Sequence, residues 1–476
     1  MSDERSAGAG TDAISKAAAE GCAESRLLMS RRGVLGLSVG LYSWAFMPKF
    51  AEAASSGNDP RLLIVILRGG MDGINTVVPH GDKAYVSMRG SIALPRSATI
   101  RLDNFFGLHP ALDNFGKMYR KKEAAIVHAT CVPLHNRSHF DGQDNLENGQ
   151  PGLASNSTGW LNRLLTGLPK GDPILAHGAI QVGEAPLILH GPAPVLGWSP
   201  SSFANMDRTT EYLIRTLYRE HDKDMYQFLE RGLKADALAE KVGKDDGNVS
   251  SLRRGFRGAA RLLAAKTGPR IAVLSVGGWD THSDQGGATG SFANVLSELD
   301  LGLDDFKAEA GKAWDQSVVV CATEFGRTVR VNGSDGTDHG VGTVAMLAGG
   351  AVRGGKVYGD WPGLAAPKLY DGSDLRPTTD LRSVFKGILK EHMDVPNTIL
   401  DETVFPESKS VKAMKNLVRS GGKKKKKSAS DAMEMFGTAP QRPEQPIARY
   451  RRGDKVSGEF SATLMENLPP VPLRPN

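Results

Sequence analysis

An aspartate and a histidine separated by one residue stand directly after an apolar segment of the chain. Asp280 and His282 follow the run Ile271–Val276, which ends at two glycines. A run of β-branched and aliphatic residues that stops at glycines predicts a buried strand. Carboxylates and imidazoles are ligands of zinc and similar divalent metals. The pair is therefore a candidate metal site, although such residues are also ordinary in short polar loops.

Residues of the same types flank other apolar runs. Asp72 and Glu324 follow predicted strands, whereas Asp338 and His339 precede one. Because open α/β sheets bind ligands at the carboxyl ends of their strands, we expect these side chains to lie at one edge of a sheet. The residues predicted to converge around a common cation are Asp72, Asp280, His282, Glu324 and His339, with Asp338 as a further candidate ligand.

Each of these residues also has a purely structural interpretation. Asp72 could be only a turn former, and His339 could be a hydrogen-bonded structural histidine. Glu324 could pair with Arg327 on a surface. A functional site is favoured because solvated charges have no reason to collect so selectively at one edge of a sheet.

A hydroxyl group lies just before a predicted helix start, after the predicted strand Ala124–Ala129. This residue is Ser138, and Arg137 precedes it. Free N–H groups and the helix dipole assist a hydroxyl, phosphate or sulfate at such a position. Ser138 is the candidate nucleophile, with water as the alternative. Ser138 could instead simply cap the helix, while Arg137 or Arg327 would bind an oxyanion bidentately.

The alternation of strand-like and helix-like segments predicts an α/β fold. This pattern favours a mostly parallel sheet with helices on both faces. The segment 151–205 fits the alternation poorly and is predicted to form a cap or insertion beside the site. Cys131 and Cys321 lie in apolar runs and are predicted to be buried packing residues. The predicted helical stretches are 111–119, 209–234, 252–266 and 292–308.

Residues 1–53 are predicted to be a twin-arginine signal peptide. Arg31 and Arg32 precede a mildly apolar run, 33–46, that is too short to span a bilayer. The triplet 51–53 matches the small-x-small cleavage pattern, so Ala54 is the expected mature start. The twin-arginine export machinery is therefore an expected partner, and the expected location is periplasmic or secreted. No other segment has the length and hydropathy of a membrane span.

Residues 409–476 are predicted to be a basic, disordered tail. They carry 15 Lys and Arg and six Asp and Glu, a net charge of +9, whereas the whole chain carries +6, so the preceding residues sum to −3. The basic pI therefore belongs to the tail and gives the remainder no argument for nucleic-acid binding. The run Lys423–Lys427 could contact an anionic lipid or polymer. Residues 58–408 are predicted to be one α/β domain.

The order of these residues resembles that of the alkaline phosphatase-like superfamily, which includes sulfatases and cofactor-independent phosphoglycerate mutases. More closely, the chain resembles the bacterial family called domain of unknown function 1501, whose members are exported proteins often labelled sulfatase-like. The resemblance covers residues 28–408 and brings no established reaction. The motifs that carry it are LRGGMDGINTVVP, RSHFDGQDNLENG, GGWDTH, TEFGRT, GTDHG, KVYGDWPGL and RPTTDLRSVF.

The resemblance to the wider superfamily implies roles for individual residues. Asp72 would take the first-strand metal position, and Ser138 the nucleophile position. Asp280 and His282 would match an Asp–His pair that the superfamily usually spaces further apart.

The end of the fourth predicted strand departs from the superfamily pattern. Glu324 stands where many members have an Asp followed by His, and Phe325 occupies that next place. His339 fits the late histidine of the pattern, unless Asp338 and His339 supply the missing pair. A one-metal site, an unusual two-metal site and a decayed site all remain open.

These observations predict an exported, metal-dependent hydrolase of phosphate or sulfate esters, so an anionic ester is the expected substrate. Zinc is favoured, with calcium, magnesium and manganese as alternatives. A competing hypothesis is a non-catalytic envelope binding protein that retains the fold with a decayed metal site. A third is phosphoryl transfer within a sugar or acid phosphate. The segment 131–135 lacks the arginine of a formylglycine sulfatase signature, so that maturation is not expected.

Overall fold

The computed structural model describes residues 59–419, except 153–157, 185, 200–206, 224, 227, 228 and 230–248. The predicted signal peptide and the lysine run lie outside the described residues. Within the described part of the chain, no helix combines the length and hydropathy needed to cross a membrane.

Fourteen strands are present in the described residues. The longer ones match the five apolar runs that the sequence predicts as strands. In chain order the strands are β1 (Arg61–Leu67), β2 (Val77–Pro79), β3 (Ile100–Arg101), β4 (Phe106–Leu108), β5 (Ala124–Cys131), β6 (Ala179–Val182), β7 (Leu196–Trp198), β8 (Ile271–Val276), β9 (Ser317–Thr323), β10 (Gly326–Arg327), β11 (His339–Gly340), β12 (Thr343–Ala348), β13 (Val357–Tyr358) and β14 (Thr379–Asp380).

A nine-stranded sheet organises the domain. Its order is β13-β5-β12-β9-β1-β8-β6-β7, and β14 also pairs with β5. Strand β12 is antiparallel to β5 and β9, whereas the other pairs in this sheet are parallel. The carboxyl ends of β1, β5, β8 and β9 therefore share one edge with the start of β12. The predicted α/β class with a mostly parallel sheet is confirmed.

Seven helices of eight or more residues accompany the sheet in the described residues. The predicted stretch 209–234 begins as one of these helices, and its residues 230–234 lie outside the described chain. The helices are α1 (Asp113–Arg120), α2 (His139–Asn148), α3 (Trp160–Gly167), α4 (Arg208–His221), α5 (Ser251–Ala264), α6 (Ser291–Ala310) and α7 (Leu381–His392). Shorter helical segments include Gly73–Thr76, Tyr85–Arg89, Pro173–His177 and Asn397–Ile399.

The apolar side chains of β1 divide the core between the two faces of the sheet. Leu62 and Ile64 belong to a buried cluster that contains residues of α3 and α7. Leu63 and Val65 belong to a second cluster with residues of α1, α5 and α6. Because successive strand residues point to opposite faces, a strand that is apolar throughout must be covered on both.

The segment predicted as a cap or insertion extends the sheet. Strands β6 and β7 lie within it, and β6 pairs in parallel with β8. Helix α3 from the same segment packs in one of the two apolar clusters. The described part of this segment is therefore integrated with the central sheet.

The folded part of the chain continues beyond the predicted boundary at residue 408. Leu417 and Val418 are buried, and Val418 forms a β-bridge with Val352. The described residues after 408 therefore pack on the domain.

Both cysteines of the described chain are free and buried, as expected from their apolar surroundings. Burial raises the pKa of each thiol, Cys131 and Cys321, to about 12. Neither thiol is therefore poised to act as a nucleophile or a metal ligand near neutral pH.

Candidate metal centre

Loops at the shared edge of the sheet bring three histidines around one aspartate. Ligand-type atoms of His139, Asp280 and His339 all lie within 4.8 Å of one another. His282 Nε2 lies 3.1 Å from Asp280 Oδ1 and 2.9 Å from His339 Nε2. The structure thus brings together three of the predicted metal ligands, and His139 joins them from the start of α2.

The ring of His139 is fixed on one side and unpartnered on the other. Its Nδ1 lies 2.9 Å from Glu324 Oε1. Its Nε2 is buried and makes no hydrogen bond, although Asp280 Oδ2 is 3.3 Å away without suitable alignment. A buried polar atom with no partner is costly, and a cation bound between the two side chains would satisfy it.

The other two imidazole rings also have an acceptor beside Nδ1, whereas their Nε2 atoms lie 2.9 Å from each other. His282 Nδ1 lies 3.3 Å from Asp338 Oδ1, and His339 Nδ1 lies 2.8 Å from the backbone oxygen of Arg137. Metal-ligating histidines typically donate one ring N–H to a carboxylate or carbonyl while the other nitrogen binds the metal. Three imidazoles and one carboxylate suit zinc or another transition metal, whereas calcium and magnesium prefer all-oxygen sets.

The electrostatics of the cluster favour the deprotonated forms of Asp280 and His339. Burial alone would raise the pKa of Asp280, but the hydrogen bond and charge of Arg327 hold it below its usual value. Desolvation lowers the pKa of His339, although its hydrogen bond to the backbone of Arg137 acts in the opposite direction. A carboxylate and a neutral imidazole are the forms that bind metals.

Phe325 forms an apolar wall between two of the histidines. Its buried ring lies 4.8 Å, centroid to centroid, from the rings of both His139 and His339. Phe325 thus packs against both imidazole rings.

Asp72 is not brought into this cluster, contrary to the expectation from the sequence. Its Oδ1 accepts hydrogen bonds from the backbone N–H groups of Ile74 and Asn75. Its Oδ2 accepts from Arg89 and, at 2.6 Å, from Gln285 Nε2. Both oxygens of this buried carboxylate are therefore occupied by protein donors.

Two other predicted ligands contact the Nδ1 atoms of histidine rings. Glu324 contacts the Nδ1 side of His139, and Asp338 contacts the Nδ1 side of His282. Asp338 Oδ1 also accepts a hydrogen bond from Asn332 Nδ2 at 3.0 Å. These contacts engage the two carboxylates with the Nδ1 atoms of the rings, whereas Asp280 contacts the Nε2 atoms of His139, His282 and His339.

Arg327 is a buried structural arginine, so the expectation that it binds a substrate oxyanion is corrected. Its Nε donates to the backbone oxygen of Gly70 at 2.6 Å, and its Nη1 donates to that of Thr337 at 3.0 Å. Its Nη2 donates to Asp280 Oδ1 at 2.5 Å. With the side chain buried and its nitrogens engaged, Arg327 holds three loops of the site together.

A glycine permits the close approach of two of these loops. Gly69 has φ +126°, and a Cβ atom there would lie 2.6 Å from the backbone nitrogen of Asp280. Only glycine combines this conformation with so close an approach.

Arg137 and Ser138 lie at the start of α2. Arg137 is partly exposed and donates from Nε to Asp374 Oδ2 at 2.9 Å, with Asp371 Oδ2 3.4 Å from its Nη2. Ser138 caps the helix, because its hydroxyl accepts a hydrogen bond from the backbone nitrogen of Asp141 at 3.4 Å. The capping interpretation of Ser138 is thus realised, and this role does not consume the hydroxyl proton.

His139 is the candidate ligand that sequence reasoning missed. It directly follows Ser138, the candidate nucleophile, in the motif RSHFDGQDNLENG. The available signal was its position, since it is the first residue of a helix that follows a strand at the shared edge.

A family model described as "Protein of unknown function (DUF1501)" matches residues 122–404. The chain belongs to this family. The region matched by the DUF1501 model contains His139, Asp280 and His339, whose ligand-type atoms converge, and the neighbouring His282, whereas Asp72 precedes it. No curated protein matches the chain.

Solved structures similar to this DUF1501 chain include the C-terminal periplasmic domain of EcEptC from Escherichia coli in complex with Zn, with 8% identity, TM-score 0.31 and coverage of 64% of this chain and 77% of that one. A protein in the alkaline phosphatase superfamily from Vibrio parahaemolyticus has 13% identity, TM-score 0.30 and coverage of 68% and 70%. The phosphonate monoester hydrolase of Agrobacterium radiobacter has 8% identity, TM-score 0.30 and coverage of 70% and 73%.

Proposed function

We propose that this DUF1501 protein is a metal-dependent hydrolase of phosphate or sulfate esters. The proposed ligands are His139, Asp280, His282 and His339, which would hold one divalent cation. The observation that carries the proposal is the convergence of imidazole Nε2 atoms on one carboxylate, including a buried Nε2 with no hydrogen-bonding partner. Zinc is the favoured metal, because nitrogen-rich sites select borderline transition metals over calcium and magnesium.

A single cation is proposed because a fixed positive charge already neutralises the first-strand carboxylate. Arg89 forms an ion pair with Asp72, and both side chains have 0% exposure. Arg89 engages Oδ2, and the backbone N–H groups of Ile74 and Asn75 engage Oδ1, so Asp72 has no oxygen free for a second cation.

The chain's own groups fit the chemistry of an anionic ester. A divalent cation in the centre would polarise the ester oxygen and neutralise charge in the transition state. The hydrogen bond and charge of Arg327 favour the ionised form of Asp280. Acceptors beside Nδ1 of His139 and His339 leave the Nε2 atoms of these two rings directed toward Asp280.

Ser138 is the proposed nucleophile, with water as the alternative. Its hydroxyl stands at the N-terminus of the ten-residue helix α2, directly before His139. The helix dipole and free N–H groups favour negative charge at this position. Among the described residues, the hydroxyl donates its proton to no acceptor.

Arg137 is the arginine proposed to contact the substrate oxyanion. Its side chain is 37% exposed, whereas that of Arg327 is 0% exposed. A guanidinium binds oxyanions through paired N–H groups.

A second candidate is a metal-binding envelope protein without catalytic activity. The observation that favours it is that the partly exposed guanidinium of Arg137 pairs with the carboxylates of both Asp371 and Asp374. An anionic substrate would have to compete with both of them.

Export is the cellular part of the proposal. The paired residues Arg31 and Arg32 and the cleavage pattern before Ala54 support passage through the twin-arginine machinery to the periplasm or beyond. Sequencing of the mature N-terminus after expression in a bacterial host tests this. Cleavage before Ala54 is expected, and unprocessed protein in the cytoplasm would contradict it.

The test of function is a panel of chromogenic aryl phosphates and sulfates. The full chain is assayed after removal of metal and after reconstitution with zinc or manganese. Hydrolysis is expected only with metal, and Asp280→Ala should abolish it. Asp304→Ala, at an exposed carboxylate on α6, is the matched control. Metal binding without hydrolysis of any ester would favour the binding protein.

A further inference from the structure

Glu324 stands in direct contact with one ring of the centre and is fully buried. We infer that Glu324 is a positioning residue that fixes the tautomer and orientation of His139, so that Nε2 is presented to the cation without a proton. This inference rests on the proposed function, because it assigns a role in building the same metal centre.

The donors around Glu324 determine where the proton lies. Oε1 accepts the backbone N–H of Gly69 at 2.8 Å and the Nε2 amide of Gln143 at 3.2 Å. Both of these groups can only donate, and Thr323 Oγ1 donates to Oε2 at 2.8 Å. A carboxylate with donors on both oxygens acts as an acceptor, so we assign the proton of the third contact, with His139 Nδ1 at 2.9 Å, to the imidazole. A neutral imidazole protonated at Nδ1 has its lone pair on Nε2.

The orientation of the Gln143 amide is itself fixed. Arg68 Nη1 donates to Gln143 Oε1 at 2.6 Å, which turns the amide nitrogen toward Glu324. Arg68 also forms an ion pair with Glu147 at 2.6 Å, and that carboxylate accepts the backbone N–H of Ile188 at 3.0 Å. The hydrogen bonds that begin at Glu324 therefore continue through Gln143, Arg68 and Glu147 to the backbone of Ile188.

The same ring is also restrained by packing. Phe325 lies against its face, with centroids 4.8 Å apart and planes inclined by 36°. Hydrogen bonding at Nδ1 and packing on the ring face together restrict rotation about the side-chain bonds. The unpartnered, buried Nε2 is thus held in place before any cation arrives.

A second histidine provides a contrast within the same site. The carboxylate behind His282 is that of Asp338, which is 59% exposed and 3.3 Å from Nδ1, whereas Glu324 is 0% exposed. An exposed and longer contact is screened by water and orients a ring less strongly. Loss of the Glu324 carboxylate should therefore weaken zinc binding more than loss of the Asp338 carboxylate.

The test measures binding of zinc alone to the full chain, by competition with a chromogenic chelator at neutral pH. Glu324→Gln keeps the size of the side chain but removes the carboxylate, and it should weaken zinc binding by about 10- to 100-fold. Asp338→Asn is the matched control and should weaken it less. Gln143→Met, which removes the amide that supports Glu324, should act in the same direction as Glu324→Gln and serves if that variant does not fold.

A spectroscopic readout separates positioning from general destabilisation. Imidazole ¹⁵N chemical shifts of the metal-free wild-type protein should show His139 protonated at Nδ1, and this preference should be lost in Glu324→Gln. Zinc affinity within twofold of wild type in both Glu324→Gln and Gln143→Met, or an unchanged tautomer, would overturn the inference while leaving the metal centre intact. Absence of zinc binding by the wild-type protein would instead remove the proposed function and this inference with it.

Discussion

Asp72 and Arg89 form an ion pair in which neither side chain reaches solvent. The same guanidinium donates to the backbone oxygen of Thr328 at 3.0 Å. The pair thereby ties the turn after β1 to the segment that follows β10. A charge that neutralises Asp72 from within the protein supports a centre with one cation.

Removal of this guanidinium should destabilise the fold. Arg89→Met leaves the carboxylate of Asp72 buried without its charged partner, which should lower the free energy of unfolding by about 3–5 kcal/mol. Urea denaturation measures the change. Lys117→Met is the control, because Lys117 pairs with Asp113 on an exposed helix surface and should show no measurable change. Equal stability of the two variants would contradict the structural role of the pair.

The two arginines of the site should respond differently to substitution. Arg327→Lys cannot reproduce the fork that joins Gly70, Thr337 and Asp280, so zinc affinity should fall by about tenfold or more. Arg137→Gln should leave zinc affinity unchanged and lower kcat/KM by about 10- to 100-fold, mainly through KM. Zinc titration combined with steady-state kinetics on the best ester of the panel measures both. If Arg327→Lys instead lowers kcat/KM with zinc affinity unchanged, and Arg137→Gln lowers zinc affinity, Arg327 rather than Arg137 contacts the substrate.

Substitution of Ser138 should separate the capping role from the chemical one. Glycine is a tolerable N-cap, so Ser138→Gly should change the free energy of unfolding by only a few tenths of a kcal/mol. Turnover should fall by about 1,000-fold or more if the hydroxyl attacks the ester, while zinc binding stays unchanged. Thermal unfolding, zinc titration and turnover are measured together. Turnover at the wild-type rate would identify water as the nucleophile.

A histidine remote from the site should make stability depend on pH. Burial lowers the pKa of His392 from 6.5 to about 4, although its hydrogen bond to the backbone oxygen of Arg61 opposes the shift. Between pH 6.5 and about pH 4, the His392 imidazole is protonated in the unfolded chain but remains neutral in the folded chain. The free energy of unfolding should therefore fall as pH decreases through this window, by about 3 kcal/mol in total.

Replacement of that histidine isolates its contribution. His392→Gln should reduce the slope of unfolding free energy against pH by about 1.4 kcal/mol per pH unit between these limits. Urea denaturation at a series of pH values measures the slope. An unchanged slope in the variant would show that His392 does not titrate differently in the folded and unfolded chains.

The location of the site could be predicted from the sequence because it depends on local patterns. The apolar runs before Asp280 and Glu324 are long enough to identify strands, and their parallel arrangement brings the strand ends to one edge. His282 and His339 followed from residue type and position alone. These inferences required no knowledge of which side chains meet.

The division of roles among the carboxylates could not be predicted in this way. Whether Asp72 binds a cation depends on Arg89, 17 residues away, and on Gln285, which is 213 residues away. Glu324 is turned into an orienting group by contacts with Gly69 and His139, from other elements. Such long-range hydrogen bonds decide whether a carboxylate is free to act as a ligand, and no local pattern encodes them.

The central claim is that His139, Asp280, His282 and His339 hold one transition-metal ion. Elemental analysis of the purified full chain after reconstitution with zinc and removal of excess metal tests it most directly. About one zinc ion per chain is expected for the wild-type protein, with loss of the ion in the double variant His139→Ala/His339→Ala and retention in Asp304→Ala. A wild-type protein that retains no metal, or a double variant that retains as much as wild type, would contradict the account.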